Sequence, residues 1–154
     1  MPVLTYQIDT AKLIFAADNG ESRVFEAFSG NGKGKDNIFA QGCKNTGPLP
    51  IGLYDMEFWP HKFTTGGGSF YLTDHDVPLN RLLKSPRNEL FIHGGTKSYG
   101  CIVLSYSDMK ELIATVKPYK GLRLSVSCQA VEEGRISLKE LNEACLYAAK
   151  HGLE

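Results

Sequence analysis

The sequence predicts a mainly β protein, a mixed β-sandwich with two short helices. Three observations support this fold class. The chain has 16 Gly and 7 Pro in 154 residues, and they divide its first two thirds into short segments, as in all-β proteins. Several of these segments alternate apolar and polar residues, which is the period of a half-buried strand. Helical periodicity occurs only in two later segments.

The first segments predict a β-meander. Residues 4–8 alternate apolar and polar side chains. Two mainly apolar runs, residues 13–17 and 24–28, flank the dipeptide Asn19-Gly20. This dipeptide is a strong hairpin signal because Asn and Gly both tolerate positive φ.

The stretch SGNGKGK, residues 29–35, is too rich in glycine for regular structure and predicts an exposed loop. Such a loop is either a plain connection or a flexible rim over a cleft. The prolines of NTGPLPIGLY, residues 45–54, then precede a strand at about residues 51–58. Further strands are expected at residues 69–73, 89–92, 101–104 and 122–128. We expect the cleft where the strands at 89–92 and 101–104 meet, under the glycine-rich loop.

The first helical segment begins near Met109, from which apolar residues follow at i+3, i+4 and i+7. Asp108 is the expected N-cap because Glu111 lies three residues further on, and Pro118 ends the run. This pattern predicts a short amphipathic helix.

The second helix is expected at about residues 137–150, behind a capping box formed by Ser137 and Glu140. Cys145 lies on its apolar stripe. Cys128 ends a strand on an apolar face, so both thiols are expected in the core.

Length and charge limit the function. A chain of 154 residues has the size of one domain with its own core, so we expect a single domain over residues 1–154. Lys plus Arg and Asp plus Glu both total 17, which gives no general attraction to nucleic acid or anionic lipid. The apolar run at residues 13–17 is too short for a signal peptide or a membrane span. We therefore expect no nucleic-acid partner, no membrane span and no Sec signal.

The four cysteines show no CxxC spacing and no close pairing with histidines, so neither a zinc module nor a dense disulfide framework is expected. One or two disulfides stay open. Cys43, in a polar loop, is the other thiol expected at the surface, as a free thiol rather than in a disulfide. His61 and His75 lack the regular spacing of metal ligands. The sequence therefore calls for no metal and no cofactor.

The stretch FIHGGTKSYGCIVLS, residues 91–105, contains a candidate base and a candidate nucleophile. A thiol attacks as a thiolate, which needs a base or cation, backbone donors and access for substrate. His93 closes a predicted strand, and the glycine-containing turn after it would bring Cys101 beside the imidazole, since adjacent strand ends lie about 5 Å apart. Gly100 removes a side chain next to the sulfur, which frees the amides of residues 99–101 for an oxyanion. The spacing alone also fits a structural histidine and a structural cysteine.

HGGTKSYGCIVL resembles the active-site signature of the L,D-transpeptidase (YkuD-type) family. It resembles more specifically the short-gap branch of that family among type VI secretion antibacterial effectors. FSGNGKG at residues 28–34 and NTGPLPIGLY at 45–54 also resemble that branch, so the similarity runs from about residue 6 to 126. The resemblance implies the mixed β-sandwich of the L,D-transpeptidase catalytic type.

The resemblance implies a role for each motif position. The nucleophile falls on Cys101, the general base on His93, the motif serine on Ser98 and the motif glycine on Gly100. Tyr99 replaces the motif histidine.

Val103 replaces the arginine often found two residues after the nucleophile, so another residue must hold the acidic end of the substrate. The candidates for this cation are Lys33, Lys35, Lys97 and Arg87. The expected substrate-binding residues are Gly94, Gly95, Ser29, Asn31, Lys33, His75 and Arg87.

The implied activity is acyl transfer on peptidoglycan stem peptides. His93, oriented by a backbone carbonyl, takes the Cys101 proton, and the thiolate attacks the L-to-D bond between diaminopimelate and D-alanine of a tetrapeptide. Water as acceptor gives an L,D-carboxypeptidase, a D-amino acid gives exchange, and a stem amine gives a crosslink. The resemblance also implies export by a type VI system, action in the periplasm of a target bacterium and a cognate immunity protein as partner.

Two other functions stay open. A different cysteine amidase, such as a papain-like cell-wall peptidase, would place Cys before His in the chain, whereas here His93 comes first. A non-catalytic peptidoglycan-binding module is favoured by the loss of the motif histidine at Tyr99.

Overall fold

The strands form one continuous sheet. The computed structural model of the chain describes residues 1–153. Its strands are β1 (Val3–Gln7), β2 (Lys12–Ala16), β3 (Ser22–Glu26), β4 (Phe28–Ser29), β5 (Gly52–Trp59), β6 (Ser69–Asp76), β7 (Leu90–Gly94), β8 (Ile102–Leu104) and β9 (Leu124–Ser127). They lie in the order β3-β2-β1-β9-β5-β6-β7-β8-β4. The pairs β1–β9 and β7–β8 are parallel and the others are antiparallel, so the sheet is mixed. The predicted mainly β fold is confirmed.

The strand boundaries follow the alternating patterns closely, with two differences. The strand predicted at residues 69–73 continues to Asp76 because it pairs with β5 over nearly its whole length. β4 was not predicted. It consists of two residues at the start of the glycine-rich stretch and pairs with Val103 and Ile102 at the edge of the sheet.

The helices are α1 (Tyr106–Val116), α2 (Gln129–Glu132) and α3 (Leu138–His151). The two predicted helices are confirmed, and so is the capping box of Ser137 and Glu140. The N-cap predicted at Asp108 is wrong. Ser105 caps α1 instead, because its Oγ accepts the N–H of Asp108 at 3.1 Å and the helix therefore begins one turn earlier. No helix within residues 1–153 is long and apolar enough to cross a membrane.

The short helix α2 has its first amides capped from far away in the sequence. The N–H groups of Gln129 and Ala130 donate to the carboxylate of Asp9 at 2.8 and 3.1 Å. A carboxylate there satisfies unpaired amides of the first turn. Since Asp9 follows β1, which pairs with β9, only the folded sheet brings this cap into place.

One apolar cluster joins both ends of the sheet to the helices. It contains Phe25 of β3, Ile102 and Leu104 of β8, Met109 of α1 and Leu141 of α3, all of which are fully buried. β3 is one edge of the sheet and β8 lies next to the other edge. The sheet therefore curves around a shared core rather than lying open.

All four cysteines are free thiols. Cys128 and Cys145 are completely buried in the apolar cluster, as the apolar pattern predicts. Cys43 is half-buried rather than fully at the surface.

The parallel pairing of β7 with β8 positions the two candidate reactive residues. Its register places His93 opposite Val103, so Cys101 comes level with Phe91. The sequence predicted Cys101 beside the imidazole. The parallel register instead sets it two residues back along the strand, which is about 7 Å at the rise of an extended chain.

The segment that makes this parallel connection is residues 95–101. It must return from the C-terminal end of β7 to the N-terminal start of β8 in seven residues, because β7 ends at Gly94 and β8 begins at Ile102. Gly95 and Gly100 have φ values of +148° and +128°, which favour glycine. Parallel strands are usually joined by much longer crossovers, so this return segment is unusually tight.

Truncation of β8, the strand that follows Cys101, should weaken the fold strongly. Ile102→Ala removes a fully buried side chain of β8, and we expect a loss of about 2–5 kcal/mol in the free energy of unfolding. Val24→Ala, on edge strand β3 where Val24 is 51% exposed, should cost less than about 1 kcal/mol. Urea unfolding measures both, and equal losses would contradict the placement of β8 in the core.

Candidate active site

An open cleft of about 520 Å³ lies beside Cys101. Four aromatic rings contribute to its lining, those of Trp59, Phe63, Tyr71 and Phe91. The centroids of neighbouring rings in this group lie 4.7–5.4 Å apart, the usual range for interacting aromatic pairs. The cleft therefore combines an apolar wall with the candidate nucleophile.

The charged side chains of the cleft are mostly cationic. Lys44, Lys62 and Arg87 contribute to the lining, against the single acidic residue Glu89. The Lys62 ammonium lies 5.5 and 5.9 Å from the ring centroids of Phe63 and Phe91. Such a site favours an anionic ligand.

Cys101 reaches this cleft as a half-buried thiol. Its Sγ accepts the N–H of Phe91 at 3.4 Å and lies 4.0 Å from the carbonyl oxygen of Glu89. Burial raises the pKa of the Cys101 thiol, and the Phe91 amide and the charges of Arg87 and Lys62 oppose this effect. The thiol is therefore protonated at neutral pH in the resting protein.

The imidazole of His93 is held in one orientation. His93 is 6% exposed, and its Nδ1 lies 2.9 Å from the carbonyl oxygen of Gly94. A carbonyl only accepts, so Nδ1 carries the proton and Nε2 has a free lone pair. The ring of Phe63 stacks on the imidazole at 3.8 Å with the planes 4° apart. Burial lowers the pKa of His93, which keeps the ring neutral and ready to accept a proton.

His93 and Cys101 lie on the same face of the sheet. Cys101 comes level with Phe91, and residues two apart along a strand share a face. No hydrogen bond joins the two side chains within residues 1–153, because Sγ is directed at the Phe91 amide. The resting arrangement therefore does not bring the thiol into hydrogen-bonding contact with Nε2.

Ser98 holds the turn of residues 98–101, which carries the candidate nucleophile Cys101 and is called the nucleophile turn. Its hydroxyl is buried and donates to the carbonyl oxygen of Cys101. The hydroxyl oxygen of Ser98 in turn accepts the N–H groups of Gly30 at 2.9 Å and Gly100 at 3.1 Å. This use of the Gly100 amide corrects the sequence expectation that residues 99–101 all offer free amides. The amides of Tyr99 and Cys101 remain as candidate oxyanion donors.

The glycine-rich stretch at residues 29–35 supports this turn from behind. Ser29 is buried, and its Oγ donates to the carbonyl oxygen of Gly100 at 2.9 Å. The side-chain amide of Asn31 donates to the carbonyl oxygen of Ser98 at 2.8 Å. The stretch therefore packs against the nucleophile turn and holds it through these hydrogen bonds. The cleft does not lie under it, contrary to the sequence expectation, because these hydrogen bonds hold it against the turn.

Tyr99 and Gly100 occupy opposite sides of this turn. Tyr99 is 63% exposed and contributes to the cleft lining, so its hydroxyl can reach a bound ligand. Gly100 is buried, and a Cβ there would lie 2.3 Å from Nη2 of Arg87. Only glycine fits at this position.

The structure brings only some of the predicted substrate-binding residues to the site. Gly95 lies against the His93 ring, and a Cβ on Gly94 would lie 2.9 Å from the ring of Tyr106. Lys33, on a short 3-10 helix behind the nucleophile turn, does not contribute to the cleft lining. His75 is four residues beyond Tyr71 on β6, about 13 Å along the strand. Its Nδ1 instead lies 3.3 Å from Asp55.

Sequence patterns did not single out Lys44, Lys62 or Phe63 as site residues. They lie in two separate loops, and no motif marks them. Phe63 has a φ of +58°, a strained conformation for a bulky residue and a frequent sign of a functional position. That signal appears only in the folded chain.

No group of three His, Cys, Asp or Glu side chains within residues 1–153 is arranged to hold a metal ion.

Residues 23–122 of the chain match the model of the Tlde1 domain. This match covers well over half of the chain and includes both His93 and Cys101. A comparison with curated protein sequences gives no match.

Several solved structures share the fold. The helical cell shape determining protein Pgp2 from Campylobacter jejuni has a TM-score of 0.57 and 16% identity, over 82% of this chain and 47% of that chain. An L,D-transpeptidase from Mycobacterium smegmatis has a TM-score of 0.52 and 17% identity, over 82% of this chain and 58% of that one. An L,D-transpeptidase from Xylanimonas cellulosilytica has a TM-score of 0.51 and 21% identity, over 82% of this chain and 60% of that chain. The chain thus spans between 47% and 60% of these proteins. At these low identities the TM-scores show a shared fold and nothing more.

The raised pKa of Cys101 gives a pH prediction. We expect its alkylation by iodoacetamide, followed by peptide mass spectrometry, to rise with pH to a midpoint above that of an exposed cysteine, about 8.5. The reason is that burial disfavours the thiolate. The denatured protein supplies the reference midpoint. A native midpoint near pH 7 would instead indicate a resting thiolate–imidazolium pair.

The turn at Gly100 gives a steric prediction. Gly100→Ala adds a Cβ 2.3 Å from Arg87 Nη2 at a φ of +128°, and we expect it to lower the melting temperature and slow the alkylation of Cys101. Gly20→Ala is the matched control, because Gly20 also has a positive φ, +87°, but nothing lies within 4 Å. That control should lose only about 1–2 kcal/mol. Similar losses in both variants would show that backbone strain alone is responsible.

Proposed function

This chain belongs to the Tlde1 domain family, and on that premise we propose that it is a cysteine-dependent acyltransferase acting on peptidoglycan stem peptides. In this proposal residues 1–154 act as one catalytic domain. Its substrate is the L-to-D bond between diaminopimelate and D-alanine in a tetrapeptide stem. The product is a tripeptide when water is the acceptor and an exchanged stem when a D-amino acid is the acceptor.

The observation that carries the proposal is the orientation of His93 next to an accessible thiol. Its Nδ1–H donates to the carbonyl oxygen of Gly94, which leaves Nε2 as a base on the face of the sheet that carries Cys101. A backbone carbonyl in this position replaces the acidic third member of a catalytic triad. The thiol opens on a cleft large enough for a peptide.

The proposed reaction proceeds in two steps. His93 Nε2 takes the proton of Cys101 as Sγ forms a bond to the carbonyl carbon of the L-centre. The carbonyl oxygen becomes negative and accepts hydrogen bonds from the N–H groups of Tyr99 and Cys101. The tetrahedral intermediate then collapses to a thioester, and D-alanine leaves with the proton from His93. Water or an amine, deprotonated by His93, attacks the thioester and restores the thiol.

The substrate carboxylates require a cation, since Val103 replaces the arginine of the motif. We assign this role to Lys62 and Lys44, which contribute to the cleft lining and make no ion pair with an acidic side chain within residues 1–153. The aromatic wall of the cleft suits the aliphatic part of a stem peptide.

The biological role is part of the same proposal. We propose that the protein is an antibacterial effector exported by a type VI system, that it acts in the periplasm of a target bacterium, and that an immunity protein protects the producing cell. The family match supports this role. Removal of D-alanine from tetrapeptide stems would deprive the crosslinking enzymes of the target cell of donor peptides.

The decisive experiment follows D-alanine release from purified tetrapeptide muropeptides by mass spectrometry. The wild-type protein should produce tripeptides, and Cys101→Ala should lose at least about a thousandfold in rate because the nucleophile is gone. Cys43→Ala is the matched control, because Cys43 is a free thiol that does not contribute to the cleft. It should retain the wild-type rate.

Other outcomes separate the remaining functions. Cleavage at a different bond of the muropeptide would indicate another cysteine amidase. No reaction together with retained binding to sacculi would indicate a non-catalytic binding module. A Cys101→Ala protein as active as the wild type would exclude Cys101 as the nucleophile.

A further inference from the structure

Arg87 is a buried cation without an anionic partner. It is 5% exposed, and its guanidinium donates to four backbone carbonyl oxygens. These belong to Gln41 at 2.7 Å, Gly47 at 3.0 Å, Pro48 at 3.2 Å and Tyr99 at 3.2 Å. No Asp or Glu within residues 1–153 forms a salt bridge with it.

A buried charge without an anionic partner destabilises the folded protein. Transfer of an unpaired cation from water to a protein interior is strongly unfavourable, and neutral carbonyl groups compensate only in part. Hydrogen bonding to carbonyls needs N–H donors, which neutral side chains also provide. The positive charge of Arg87 is therefore not explained by the contacts that hold it.

Three ionisable groups lie close enough to interact with this charge, Tyr54, Cys43 and Cys101. The hydroxyl of Tyr54 is buried and donates to the carbonyl oxygen of Pro50 at 2.6 Å, so it stays neutral. Cys43 does not contribute to the cleft lining. Of the three, only Cys101 lines the aromatic cleft, where the proposed reaction develops negative charge.

Arg87 also lies directly behind the nucleophile turn. Its Nη2 donates to the carbonyl oxygen of Tyr99 and lies 2.3 Å from where a Cβ on Gly100 would be. The charge is thus held next to the segment that presents Cys101, in a region shielded from solvent, where electrostatic interactions are strong. Its position is fixed by four hydrogen bonds, so little reorganisation is needed when an anion forms.

We propose that Arg87 is a positioning residue whose fixed charge stabilises the negative charge that develops on Cys101 Sγ during attack. His93 remains the proton acceptor and stays neutral at rest. Arg87 takes no proton and forms no covalent bond. It lowers the free energy of the thiolate through space while it holds the turn. The inference rests on the proposed role of Cys101 as nucleophile.

Other charged or titratable groups face the same region and must be distinguished from Arg87. Those nearest the sulfur or the guanidinium, or in the cleft, are Lys44, Lys62, Glu89, His93, Tyr71, Tyr99, Tyr54 and Cys43. Lys62 is the other cation that acts on the Cys101 thiol. It is exposed, so salt and water screen its charge.

The test measures the pH midpoint of Cys101 alkylation in four variants, by peptide mass spectrometry and without any peptidoglycan. Arg87→Met removes the charge and Arg87→Lys keeps it while losing the planar fork. Lys62→Met removes the rim cation. Arg81→Met is the matched control, because Arg81 is exposed and pairs with Asp76 at 3.0 Å, away from the cleft.

We expect Arg87→Met to raise the midpoint by about one pH unit or more, since an opposite charge nearby shifts a pKa by that amount. Arg87→Lys should restore most of the difference even if both variants melt at lower temperature. Arg81→Met should have the wild-type midpoint, and Lys62→Met should shift it less than Arg87→Met. If Arg87 only held the turn through hydrogen bonds, Arg87→Met and Arg87→Lys would have the same midpoint. That result would overturn the proposal.

The wild-type protein provides a second measurement if Arg87→Met does not fold. Charge from a buried group is poorly screened, so the wild-type midpoint should stay nearly constant between about 0.05 and 0.5 M NaCl. A midpoint that rises with salt to the value of Lys62→Met would assign the effect to the rim and overturn the proposal. Because alkylation needs no substrate, failure of the D-alanine assay leaves this result independent.

Discussion

The parallel pairing of β7 with β8 is the constraint on which the candidate site depends. A seven-residue return between parallel neighbours leaves no room for a helical crossover, so the chain folds back along the strand it has just left. This return places Cys101 on the face that carries His93, but two residues behind it. It also requires positive φ at Gly95 and Gly100, which is why glycine stands at both positions.

A return segment this tight needs external support, and polar side chains supply it. Ser98 bonds to the backbone of the turn from within, and Ser29 and Arg87 bond to it from behind. Each of these side chains is buried and satisfied by backbone groups, so the turn is held on both sides. The contacts that hold the turn also place the unpaired positive charge of Arg87 near the Cys101 sulfur. One side chain therefore both supports the turn and acts on the thiol electrostatically.

The site at rest is a neutral pair rather than an ion pair. Burial raises the pKa of Cys101 and lowers that of His93, so the resting thiol keeps its proton and the imidazole is neutral. An exposed, permanently ionised thiolate would be open to oxidation and to unrelated electrophiles. A protonated thiol next to an oriented neutral base avoids this exposure.

Local sequence patterns predict the mainly β fold, both main helices, the burial of Cys128 and Cys145, and the segment that carries His93 and Cys101. Local patterns suffice for these features because hydrophobic periodicity and capping act over a few residues. The sequence did not predict the cap of α2 by Asp9, the place of the glycine-rich stretch behind the turn, or the contribution of Lys44, Lys62 and Phe63 to the cleft. These three features become visible only in the folded chain, because each depends on contacts between segments far apart in the sequence. The distance between base and nucleophile belongs to the same group, since the strand register that sets it follows from pairing across the sheet and not from the spacing of two residues.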